Sequence, residues 1–158
     1  MDDFEKLLQE QQDLINSLAK YEIELGVVSG KSKNKRKSNT TSSNKPTNAD
    51  LMYIHENGSP LKNIPSRPVL EITINNVKNK LVNETIDRII DNIINNNWKQ
   101  ADIERELNIL CIRIQQHARK IIYDNTGILA PNSPSVATKK KGNHPLFDTG
   151  QLARSIVC

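Results

Sequence analysis

Between Asp2 and about Ala19 the apolar residues Phe4, Leu7, Leu8, Leu14, Ile15 and Leu18 recur at steps of three and four, with charged and amide residues between them. That period predicts an amphipathic helix, packed as a core helix rather than self-paired as a coil, with Gln11 the one polar residue on its seam. At Tyr21 the period changes. Tyr21, Ile23, Leu25 and Val27 alternate with Glu22, Glu24 and Gly26, which predicts a half-buried strand. Residues 29–47 contain no hydrophobic side chain and cannot offset the entropy of being ordered, so a flexible loop is expected there.

Asn48 is a suitable N-cap for a short helix that Gly58 would end. Pro60, Pro65 and Pro68 then exclude helix until Pro68 itself, which suits a first helical turn. Beyond it, Leu70, Ile74, Val77, Leu81, Ile86, Ile89, Ile90, Ile93 and Ile94 predict a long helix, broken by Asn95, Asn96 and Asn97 near Trp98. A second helix follows on Ile103, Leu107, Leu110, Cys111, Ile114, Ala118, Ile121 and Ile122. The two predict a helical hairpin burying its broad faces against the sheet and each other.

From 125 to 145 the periodicity is lost again, and such a segment fully extended spans on the order of 60 Å at ~3.3 Å per residue. It is read as an arm able to touch a neighbouring subunit. Apolar content returns with Leu146, Phe147, Leu152 and Ile156. The fold class expected is therefore α+β, in a single domain over 1–158: an N-terminal helix, a small antiparallel sheet, a long helical hairpin, and two long flexible loops at 29–47 and 125–145.

Composition sharpens this in two ways. With aromatics at 4% of 158 residues, the core must be built from Ile, Leu and Val. The net charge of +4 comes largely from two lysine runs, Lys31, Lys33, Lys35, Arg36 and Lys37, and then Lys139, Lys140 and Lys141. Neither run carries an aromatic for base stacking, and each reads first as a solvated loop tip, with non-specific DNA or inter-subunit contact as the other reading.

Chemistry is sparse. His55, His117 and His144 have no metal-ligand spacing around them, and His55 and Glu56, being adjacent on a helix, point apart rather than forming an acid/base pair. There is no phosphate loop and no nucleophile elbow. Cys111 lies on the apolar stripe and reads as a buried structural cysteine, Cys158 as an exposed thiol, and no disulfide framework is expected. The expectation is a protein that is not an enzyme and holds no metal or cofactor. The opening MDDFEKLLQEQQ does not resemble a secretory signal, and no apolar run approaches the ~18 residues a membrane span needs.

Two segments carry more than composition: ADLMYIHENGSPLKNIPSRPVL from Ala49, and APNSPSVATKKKGNHPLFDTGQLARSI from Ala130. Together they resemble the neck or tail-completion proteins of tailed bacteriophages, the virion-morphogenesis family that joins head to tail. The resemblance rests on His55, Glu56, Gly58, Pro65, Arg67 and Pro68 in the first segment, and on Pro145, Leu146, Asp148, Thr149, Gly150, Leu152 and Ser155 in the second. Gly58 suits a helix end, Pro65 and Pro68 stiffen the approach to the long helix, and Arg67 can pair with a carboxylate or cap carbonyls. Asp148 or Thr149 can cap a short helix bearing Leu152 and Ile156. Asn57 departs from the family, in which an aromatic commonly precedes the glycine. The sequence also stops at Cys158 where relatives continue into a strand, which implies a final sheet that is shorter or completed by another subunit.

What the resemblance implies is a subunit of a homo-oligomeric neck ring in the virion, assembled in the host bacterial cytoplasm, with DNA passing through its lumen. Its partners would be the adjacent connector, adaptor or stopper proteins and the tail terminator or tail tube protein, with no membrane. The rival readings are a tail terminator capping the tube and a small basic DNA-binding module.

Overall fold

The computed structural model describes residues 2–28, 46–124, 126–140 and 143–158. Every regular element among them is helical. In chain order these are α1 (Asp3–Leu18), α2 (Asn48–Asn57), a 3-10 turn (Pro60–Lys62), α3 (Val69–Val77), a π-helical turn (Lys78–Val82), α4 (Asn83–Asn96), α5 (Gln100–Asp124), α6 (Pro134–Lys139) and α7 (Gln151–Ser155).

The expected α+β class is therefore wrong. Among the described residues there is no sheet, only the isolated antiparallel bridges Gly26 to Val157 and Ser59 to Ile64. The reason is a shortage of partners. The alternating segment after α1 has no regular structure, and its one strand-like pairing is Gly26 N–H to Val157 O at 3.0 Å and Val157 N–H to Gly26 O at 2.8 Å. Leu25 and Val27 pack inward while Tyr21 and Ile23 stay exposed. Alternation is a property of one segment, and a ladder also needs a second strand.

The described residues fall into two compact units. The first takes in 2–24 and 76–113. Ile89 and Ile93 of α4 and Ile103 of α5 are fully buried there, covered by Leu14, Ile15 and Leu18 of α1 and by Trp98 and Leu107. Asn97, with φ 50°, ends α4 in the left-handed conformation that asparagine tolerates. Gln11, expected as the polar seam residue, donates through Nε2 to Ile93 O at 3.1 Å and Ile94 O at 3.2 Å, two of the carbonyls that a helix end leaves without an internal partner. Arg88 and Glu106 form an ion pair between α4 and α5.

The second unit takes in the described parts of 25–75 and 114–158. Its core joins Met52 of α2, Val69 of α3, Ala118, Ile121 and Ile122 of α5, Leu129 and Leu146 from the connecting segments, and Leu152, Ala153 and Ile156 at α7. Thr47, not Asn48, caps α2: its Oγ1 accepts Asp50 N–H at 3.1 Å while the Asp50 carboxylate accepts Thr47 N–H at 2.8 Å, a reciprocal capping box. Asn48 is the first helical residue and is buried.

Buried positions between 69 and 96 recur at every fourth residue, Val69, Thr73, Val77, Thr85, Ile89 and Ile93, with half-buried Leu81 between. An α-helix turns about 100° per residue, so each step of four overshoots a full turn by about 40°. The wider π turn at Lys78–Val82 unwinds that accumulated drift. Thr73 and Thr85 are tolerated in this row because each Oγ1 donates to the carbonyl four residues back, Val69 O at 2.7 Å and Leu81 O at 2.8 Å.

Further expectations change. Both cysteines are disulfide-bonded rather than free thiols, and neither stands at one of the short spacings by which cysteine motifs are read. Residues 126–140, read as an aperiodic arm, contain α6 and the buried Leu129. Of the loop expected at 29–47, positions 29–45 lie outside the described residues. No described helix is long and apolar enough to cross a membrane.

Candidate functional site

The two sequence segments that stood out by motif come together within the second unit, and they do so by side chains binding backbone. Glu56, near the end of α2, extends its carboxylate to the start of α3 and accepts Leu70 N–H at 3.2 Å and Glu71 N–H at 2.8 Å. Those are amides that a helix start leaves without internal acceptors, and a negative charge there meets the positive end of the helix dipole. Pro68 completes the start by accepting Ile72 N–H at 3.0 Å on its carbonyl.

Gly58 ends α2 with φ 76°, and a Cβ there would stand 2.9 Å from Ser66 N and 3.0 Å from Ile64 O. The chain doubles back so closely that only glycine fits. The fold-back is held by Ser66 Oγ donating to Glu56 O at 2.7 Å and by Arg67 N–H donating to His55 O at 2.6 Å.

Arg67 ties the first segment to the second. Its side chain, only 5% exposed, donates through Nε to Ala130 O and through Nη2 to Pro131 O, each at 2.7 Å, and Nη1 lies 3.4 Å from His55 Nδ1. Among the described residues it joins no ion pair, so it meets carbonyls rather than a carboxylate. Burial pushes its guanidinium below the ordinary arginine value, yet the planar fork stays charged and satisfies two carbonyls at fixed geometry.

In the second segment Pro145, Leu146, Gly150 and Leu152 are buried and Asp148 and Thr149 exposed. Neither of those two caps α7, as was expected; Gly150 is the N-cap, at φ 72° and without a side-chain cap bond. Thr149 contributes its carbonyl instead, accepting from Arg154 Nη2 at 2.9 Å. Ser155 Oγ donates to Leu152 O at 2.7 Å. Leu146 is held at φ 60°, a conformation that a leucine adopts only when its surroundings enforce it.

Sequence reasoning missed two contributors, Gln115 and Arg119 on α5. Gln115 Nε2 donates to Ile156 O at 2.7 Å, and Arg119 reaches Ala153 O at 3.1 Å and Ile156 O at 3.0 Å. Gln115 and Arg119, four apart on a helix with many other polar residues, give no distinguishing signal in the sequence.

No family model, curated protein or solved structure matches this chain. The case for a site therefore rests on its geometry. Both segments border a pocket of about 310 Å³, at the small end of the roughly 300–1,000 Å³ usual for ligand sites. Its polar side includes Lys62, Arg67, Lys140 and His55 beside neutral Asn63, Asn132 and Ser133, and its apolar side includes Ile64, Pro65, Val136 and Leu146; no Asp or Glu lines it. Lys140 is half-buried, with Nζ 3.4 Å from Phe147 O, whereas Lys139 is exposed at the end of α6. Lys31, Lys33, Lys35, Arg36, Lys37 and Lys141 lie outside the described residues. No group of described His, Cys, Asp or Glu side chains could hold a metal ion. What the arrangement offers is positive charge beside an apolar wall, which recognises a group that is both anionic and apolar.

Proposed function

We propose that this chain is a structural subunit of a tailed-phage virion, part of a neck ring that joins the head connector to the tail, with DNA passing through the ring. The observation that supports this most is the bond from Arg67 to the carbonyls of Ala130 and Pro131. It makes one structural node of the two segments whose motifs resemble the neck family. The motif residues seen there, Glu56, Gly58, Arg67 and Gly150, close helix ends and chain reversals, roles suited to a protein that holds a shape for assembly.

The test is imaging of purified particles labelled through this chain, together with light scattering of the isolated protein. Label at the head-tail junction and a closed oligomer are the expected results. Label on the ring that caps the tube itself, carried by tails purified without heads, would transfer the role to a terminator. A monomer absent from particles, binding duplex DNA with steep salt dependence, would replace the proposal with a DNA-binding module.

A further inference from the structure

The first half of α1 is an uncovered surface with a definite chemical character. Residues 2–10 are all exposed, and Phe4, Leu7 and Leu8, at i, i+3 and i+4 on one face, are 64%, 36% and 49% exposed. Only the later residues Leu14, Ile15 and Leu18 pack into the core of the first unit. Asp2, Asp3 and Glu5 flank Phe4 in the chain and Lys6 follows, so the helix tip presents an exposed aromatic side chain among three carboxylates and one ammonium, a net negative surface. Glu5 is partly engaged, accepting Asp2 N–H at 3.2 Å.

The pocket of the second unit has the complementary character. Three formal positive charges, Lys62, Arg67 and Lys140, border it with no acidic residue, and Ile64, Pro65, Val136 and Leu146 give it an apolar wall. Its volume suits a side chain, not a large cofactor. Aromatic anchors seated in pockets dominate the energetics of protein interfaces, and complementary charge at the rim steers and orders the encounter.

We propose that the acidic tip of α1 of one copy, with Phe4 as its anchor, docks in the Lys62, Arg67 and Lys140 pocket of a second copy. The contact joins two different surfaces of the same chain. It is therefore heterologous, the kind that makes a ring when its rotation closes. The inference rests on the ring reading above and supplies the surfaces by which such a ring would be built.

Charge swapping in the full-length protein tests it. A tip variant carries Asp2→Lys and Asp3→Lys; a pocket variant carries Lys62→Glu and Lys140→Glu, which leaves Arg67 to its carbonyls. Circular dichroism and melting first verify that both fold. By mass photometry across concentration, each variant alone should associate at least tenfold more weakly than the wild type. An equimolar mixture should regain association, because each copy then meets a complementary neighbour. Phe4→Ser should weaken association without charge.

Either variant alone assembling like the wild type, or a mixture that fails to recover, overturns the docking proposal. If rings persist in the variants, the neck-ring reading stands and only the docking falls. If the wild type is monomeric and absent from particles, the ring reading falls and takes the docking with it. A pocket variant that assembles normally but loses salt-sensitive DNA binding would assign the pocket to phosphates and overturn the contact between copies.

Discussion

The Glu56 carboxylate accepts the backbone N–H of Glu71 at 2.8 Å, fifteen residues along the chain from its own position and across a reversal. With Leu70 N–H on the other oxygen at 3.2 Å, one side chain closes the start of α3. Removing it in Glu56→Ala should destabilise the protein by about 1–2 kcal/mol, as loss of a cap and a favourable dipole contact does. Glu56→Gln, which keeps one acceptor oxygen, should lose less. Hydrogen exchange at Leu70 and Glu71 is the direct readout, and unchanged protection in the alanine variant would refute the capping role.

Gly58 and Gly127 separate two reasons for a glycine. Their φ angles are nearly equal, 76° and 79°, but an added Cβ meets Ser66 N at 2.9 Å in the first case and nothing within 4 Å in the second. Gly127→Ala should cost about 1 kcal/mol, the conformational part alone. Gly58→Ala should cost about 2–4 kcal/mol, because strain and a backbone clash add. Denaturant midpoints measured side by side would decide, and equal losses would show that the chain relaxes away from Cβ at 58.

Arg67→Lys should not behave conservatively. The ammonium of lysine is a single point of contact, whereas Arg67 reaches Ala130 O and Pro131 O with two separate N–H groups at 2.7 Å. A loss of about 1–3 kcal/mol is expected, from one part-buried carbonyl left without a donor. Amides near Leu129 should exchange faster than those of α4 in the same variant. A melting temperature equal to that of the wild type would contradict this.

Asp50 gives a pH signature. Its carboxyl is held below the ordinary aspartate value, first by the backbone N–H of Thr47 and then by the Thr47 hydroxyl. A depressed folded value means that the contribution to stability is present above the unfolded aspartate value, about 3.9. It is lost as pH falls from there through the lowered folded value. The start of α2 should therefore fray in acid before the rest of the helix. In Thr47→Val the Asp50 value should move back part of the way, the backbone bond remaining. Carbon-13 titration of the Asp50 carboxyl follows both effects, and an unchanged value in the variant would remove the hydroxyl from the account.

The helices were legible because their signals are local. Leu14, Ile15 and Leu18, and later Ile103, Leu107 and Leu110, repeat at a helical period whatever they pack against. The capping box at Thr47 and Asp50 was also written in the chain, though the greater cap propensity of Asn48 drew the boundary one residue too far. Tyr21 to Val27 misled because alternation is a property of one segment and pairing a property of two. The contacts of Glu56 with α3 and of Gln115 and Arg119 with α7 depend on distant chain meeting in space. For the candidate site, the motifs already held His55, Pro65, Arg67 and Leu146, and the second lysine run held Lys140. Lys62 and Val136 enter only through the shape of the pocket.

The acceptors that Arg67, Gln115 and Arg119 grip are backbone carbonyls, those of Ala130, Pro131, Ala153 and Ile156. Any residue supplies a carbonyl, so mutation can change the side chains at these places and leave the bonds intact. The donors Arg67, Gln115 and Arg119 have no such freedom. Over long divergence, relatives sharing this architecture should hold a few scattered polar columns while the stretches they grip drift in identity. Such a lineage would outlive its own sequence similarity.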